Sequence, residues 1–384
     1  MEKLTGSLEL TNGFLPTQDP LLKLPKEFSE WENLATQLPK LLMSNQLRQI
    51  IKQMPSFPTD KLIKEQQLER AMLILSFLGH AYVWGEKTPT LSIPAILAQP
   101  WYNVAKQLGR PPVLSYASYA LHNWQKINRD LPIQLGNIAL IQNFHGGQDE
   151  EWFVLIHVAI EAKITSALQA INPLLNAVKK KDSALVSENL QIVVDGLNKT
   201  CNILDRMVDR CDPYIYFNRV RPYIHGWKDN PALPHGLIYE GVAEYEERPQ
   251  QFRGETGAQS SIMPVMDALL NIERQNDLLR VYLQEMRDYM PPLHRKFLEN
   301  IEASKGVRHF IVNHYKSMPL LRSLYNECIE LIMRFRSTHL HYAALYIQNQ
   351  AQVDPTNPNA VGTGGTPFMT YLKKHFDETK KFLI

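Results

Sequence analysis

Chemistry concentrates late in the chain, in a stretch of helical spacing from Leu320 to Gln348. Leu321, Leu324, Cys328, Phe335 and Tyr342 mark one apolar face of it. His339 falls on that face, four residues after Phe335 and three before Tyr342, so its imidazole points inward. His341 is rotated about 200° away and belongs to another face. A histidine so placed is most often a core residue satisfied by its neighbours. Arg336 weighs against that, since it sits one turn earlier on much the same side and an inward guanidinium needs an anion. An imidazole and an arginine projecting into a helical interior suit haem, with the ring as proximal ligand of iron and the guanidinium on a propionate. Spacing alone leaves both readings open.

A second concentration lies at 214–228, where aromatics and arginines alternate on an expected helix ending near Gly226. Phe217 and Arg221 are four apart and share a face. The ring would pack apolar surface while the guanidinium fork holds a carboxylate, as an aromatic acid requires. An arginine simply lying over an aromatic ring gives the same spacing. Other chemistries lack their residues. There is no HExxH, no Walker A loop and no GxSxG elbow, and Cys201, Cys211 and Cys328 form no CxxC pair. The glycine-rich Gly362–Thr366 follows a helix and a loop rather than a strand, which argues against nucleotide binding.

The elements that must position these groups are helices. Apolar spacing predicts them at 29–38, 61–84, 93–108, 152–177 and 183–208, then at 258–273, 276–288, 292–303, 320–348 and 367–380. No run alternates as a strand does, and the prolines fall mainly between segments or at their starts. The expected fold class is therefore all-α. A polar break at Phe144–Asp149 divides a proline-interrupted part, residues 1–145, from longer and more apolar helices over residues 146–384. The long stretches 229–257 and 350–366 are lids or surface connections. A net charge of +2, from 41 Lys+Arg against 39 Asp+Glu, argues against a nucleic-acid partner. The start lacks a secretory apolar core, and the greasiest runs, 71–78 and 152–160, fall short of the roughly 20 residues a membrane span needs. A soluble, cytoplasmic protein is expected.

Several ordered blocks then carry a resemblance. They are Arg336-Ser337-Thr338-His339-Leu340, Gly362-Thr363-Gly364-Gly365-Thr366, Gly226-Trp227-Lys228 with Asn230-Pro231, Gly254–Ser261, Tyr289–Arg295, and Pro111–Ala117 with Asn123-Trp124. Spread over about residues 100–375, they resemble the indoleamine 2,3-dioxygenase family. The resemblance implies haem b in a helical large domain capped by a small N-terminal one. His339 is then the proximal iron ligand, Arg336 the propionate-side arginine, and Asp267 the acid that positions it. It further implies Arg221 on the substrate carboxylate, Phe217 and Tyr116 in the pocket wall, and Thr363 in a loop that closes over the substrate. Trp227 would lie beneath the haem or the pocket helix. The implied reaction adds O2 across the C2–C3 bond of tryptophan or a related indole to give N-formylkynurenine, with an electron donor keeping iron ferrous.

Departures from the family pattern touch the substrate side. His157 stands in place of a small hydroxyl residue, with Phe153 before it at the aromatic position, and its imidazole could accept the indole N–H. Tyr216 replaces a phenylalanine, and Tyr119 differs from the usual small residue. Thr256 keeps a hydroxyl able to donate to a propionate or the substrate, whereas Glu255 places negative charge near an anionic cofactor. Alternative readings are a haem enzyme acting on another indole or tryptophan derivative, and a haem sensor without turnover.

Overall fold

The computed structural model describes residues 8–273, 276–350, 357–358 and 361–384. Parts of the stretch 350–366 named above, at 351–356 and 359–360, lie outside the described residues.

The apolar run at 71–78 sits in the helix Glu65–Trp84, which is hydrophobic nearly all round and so becomes a core element. From Glu69 to Trp84 every residue is buried, and the two charges that enter are paired: Arg70 with Glu32 at 2.6 Å, Glu69 with Arg110 at 2.5 Å. Gly79 allows this helix to approach Ala95–Leu108, because a Cβ there would lie 2.2 Å from the Trp101 ring. His80 donates from Nδ1 to the Tyr223 carbonyl and accepts on Nε2 from the Leu114 N–H. It is thus a neutral core histidine, its pKa pushed down to about 3 by burial.

The second half is built on longer helices. Gln148–Lys163 and Thr165–Lys180 meet at Ile164, and Thr165–Lys180 then turns through Lys181 and Asp182 into Ser183–Leu204. Lys181 takes the left-handed conformation that ends a helix, and Asp182 caps the next one by accepting from the Leu185 N–H. Glycine at 196 lets the two antiparallel helices close, since a Cβ would meet that of Ala167 at 2.6 Å. Pro319–Ala343, which begins with proline at its first position, packs on Ser183–Leu204 and on the C-terminal Phe368–Lys380. Among the described residues, Gln148–Lys180 is long and apolar enough to cross a membrane, contrary to the expectation that no run would be. Counting unbroken apolar residues overlooked that two helices run on through Ile164; 67% of the most apolar window is buried inside the protein.

The architecture is all-α. Among the described residues the four strands are two residues each, with Ser92–Ile93 parallel to Ile238–Tyr239 and Gln125–Lys126 antiparallel to Ile138–Ala139. Two hydrophobic clusters form. One gathers the N-terminal helices and residues 223–242; the other gathers the long helices with Ile262–Leu270 and Pro292–Ala303.

Candidate active site

A large cavity lies where the two clusters meet. One wall is Pro319–Ala343 and its continuation, which present Phe335, Arg336, His339, Tyr342 and Tyr346 at helical spacing. The opposite wall is Gln148–Lys163, which presents Phe153, His157 and Ile160. Three π-helical turns, Ala117–Leu121, Tyr216–Val220 and Ala344–Gln348, adjoin the cavity. Such one-turn irregularities re-aim side chains and recur at functional sites.

His339 is open to the cavity while enclosed by the protein around it, and no hydrogen bond reaches its ring from the described residues. Burial, and then the charge His157 would carry, push its pKa down to about 4. It is therefore neutral, with a lone pair available to a metal. His341, two residues on, is exposed and faces away. Arg336 is buried and donates to both oxygens of Asp267, at 2.8 and 2.7 Å, and to the Thr379 hydroxyl. Asp267 does not itself line the cavity.

Across from His339, His157 donates from Nδ1 to the Phe153 carbonyl at 2.7 Å. That bond fixes the tautomer and leaves Nε2 as an acceptor, while burial lowers the pKa of the ring. Phe153 packs on His157 and Tyr216, at ring separations of 4.8 and 4.6 Å. The Tyr116 ring meets His157 edge-on, and its hydroxyl donates to Glu161 at 2.9 Å, as does that of Ser260. Glu161 is fully buried, which raises its pKa to about 7.

The glycine-rich loop covers the cavity. The Thr363 hydroxyl donates to the Glu255 carbonyl at 2.5 Å, and the Gly226 N–H donates to the Thr363 carbonyl at 3.3 Å. Arg253, which sequence reasoning passed over, donates to the Gly364 carbonyl and pairs with Glu285 at 2.9 Å. Gly226 and Gly254 press backbone against backbone, since a Cβ on Gly226 would lie 2.1 Å from the Gly254 nitrogen. Thr256 lines the cavity beside this contact.

Four expected pocket residues sit elsewhere. Arg221 and Phe217 are fully buried behind the cavity wall, the guanidinium 5.4 Å above the ring. Arg221 donates to the Asn357 side chain and to the Val361 carbonyl at 2.5 Å, and its Nε has no partner. Tyr119 is turned toward Phe77 by its π-helical turn. Trp227 is packed among His80, Trp84 and Tyr239, away from the cavity. Sequence reasoning also missed Tyr282, which lines the cavity beneath the glycine-rich loop, while Glu255, expected near the anionic cofactor, lines the same cavity. Their positions depend on long-range packing, so no local pattern signals them.

Comparison with known proteins gives a consistent result. A sequence profile described as indoleamine 2,3-dioxygenase matches residues 7–382. The chain is similar to indoleamine 2,3-dioxygenase 1 of Rattus norvegicus, at 34% identity over 95% of this chain and 92% of that one. It is 32% identical to indoleamine 2,3-dioxygenase 2 of Homo sapiens, over 97% and 93%. A protein of Fusarium equiseti named 6-hydroxytryptophan 2,3-dioxygenase is 33% identical over 95% and 94%.

Proposed function

Since the chain belongs to the indoleamine 2,3-dioxygenase family, we propose that it is a haem b enzyme that opens the indole ring of L-tryptophan. Its class is that of the tryptophan and indole 2,3-dioxygenases. The proposed reaction inserts both atoms of O2 across the C2–C3 bond and gives N-formylkynurenine, the first step of the kynurenine pathway. The observation that carries this reading is a neutral imidazole, His339, facing a large cavity with no partner among the described residues.

The residues fit a porphyrin. His339 presents an imidazole with no partner among the described residues from the Pro319–Ala343 wall, the walls beside it are apolar, and Arg336, one turn away, is held by Asp267. When bound, haem supplies the ferrous iron at which O2 is activated. His339 would hold that iron, while Arg336 and the Thr256 hydroxyl would meet the propionates. Phe153 and Tyr216, packed on each other, would form one wall against the indole, and Arg221 would take its carboxylate by exchanging its bonds to Asn357 and the Val361 carbonyl. The loop bearing Thr363 would exclude water. Insertion of both oxygen atoms consumes no external electrons, so a donor is needed only to keep iron ferrous.

Aerobic incubation of the reduced, haem-loaded protein with L-tryptophan should produce the near-ultraviolet band of N-formylkynurenine. A product of different mass would reassign the reaction, and a ferrous spectrum indifferent to tryptophan would favour a sensor. A second reading keeps the reaction and changes the indole. It draws on the Fusarium equiseti relative named for 6-hydroxytryptophan and on the extra hydroxyl of Tyr216.

His157 would orient the ring by accepting the indole N–H on Nε2. 1-Methyl-tryptophan lacks that proton and leaves the acceptor unpaired, so its kcat/KM should fall by roughly 10- to 100-fold. Turnover equal to that of tryptophan would remove the contact.

A further inference from the structure

Glu255 is 3% exposed and lines the cavity, yet its carboxyl has no hydrogen-bond or ion-pair partner among the described residues. A buried carboxyl normally finds a donor or a cation, and its absence from the protein leaves that role to a ligand. The backbone that aims it is held on both sides: the Glu255 N–H donates to the Ile224 carbonyl at 3.1 Å, and its own carbonyl accepts from Thr363. Its neighbours identify which end of the cavity it serves. Glu255 lines the cavity together with Tyr116 and Tyr216, and its charge adds to the burial that raises the pKa of the Tyr116, Tyr119 and Tyr216 hydroxyls. It therefore belongs with the cavity tyrosines, under the glycine-rich loop that its carbonyl holds through Thr363.

Tyr216 feels both Glu255 and Arg221, the latter lying behind the wall. Acid and base flanking one side chain match the two charges of an α-amino acid, an ammonium and a carboxylate on one carbon. We propose that Glu255 is a specificity residue that accepts the α-ammonium group of the indole amino acid, opposite Arg221. This rests on the indole reading above and deepens it. Empty, the site holds this carboxyl mostly protonated near neutral pH, since burial raises its pKa to about 8. An arriving ammonium group supplies the missing counter-charge and favours the ionised form.

The test uses the haem-loaded protein, titrated with L-tryptophan and with indole-3-propionate, which keeps the ring and the carboxylate but lacks the ammonium. The Soret shift reports binding and the haem titration reports cofactor affinity. Glu255→Gln should weaken L-tryptophan by roughly 10- to 100-fold and leave indole-3-propionate within about twofold. Glu255→Asp, which keeps the charge on a shorter arm, should bind tryptophan with intermediate affinity. Unchanged tryptophan affinity in Glu255→Gln overturns the proposal. So does an equal loss for both ligands, or lost haem affinity with tryptophan binding intact, which would move the carboxyl to the propionate side. A wild-type protein that responds to neither ligand would instead defeat the indole reading itself.

Discussion

Replacing His339 with alanine is expected to leave a folded protein that does not retain haem and shows no Soret band after reconstitution. The imidazole is the nitrogen donor that the Pro319–Ala343 wall presents to the cavity, whereas His157 stands on the opposite wall, oriented by its Nδ1 bond to the Phe153 carbonyl. Exogenous imidazole should restore part of the band, because the truncation leaves a ring-sized gap beside the iron position. His341→Ala is the control: that side chain is exposed on another face, and its loss should not alter haem content. A His339→Ala protein with a normal Soret band would end the assignment.

Arg221→Leu should raise KM for L-tryptophan by about two orders of magnitude, since truncating one partner of a buried charge pair costs about 2–5 kcal/mol. Burial lowers the pKa of the guanidinium to about 10, so it stays charged at neutral pH, and its described acceptors are a side-chain amide and a carbonyl. A buried cation satisfied by neutral groups alone is ready for an anion. Val361 precedes the glycine-rich loop, so exchanging its carbonyl for a substrate carboxylate would couple binding to loop position. A normal Soret band in the variant would show that the haem site is intact. Wild-type KM there would remove Arg221 from the site.

The helical architecture was legible because periodicity survives folding: Pro292–Ala303 matches the spacing to the residue, and the face carrying His339 is the one that meets the cavity. Ends and irregular turns were less legible. The long apolar pattern at 152–177 conceals a break at Ile164, and 320–348 conceals the change to a π-helical turn at Ala344. Such turns arise from tertiary packing rather than local propensity. One of them carries Tyr119 away from the cavity, although Tyr116, three residues earlier, lines it. Trp227 was drawn off by rings at His80 and Trp84, over 140 residues away, a pairing invisible to local pattern. The aim of Glu255 is set by Ile224 and Thr363 in the same way.

The meeting of two separate apolar clusters around a hollow has a thermodynamic consequence. Whatever fills the hollow is a keystone, touching one cluster through Tyr116 and Tyr282 and the other through Phe335 and Tyr346. The melting temperature should therefore rise with cofactor concentration, as mass action on the folded state requires.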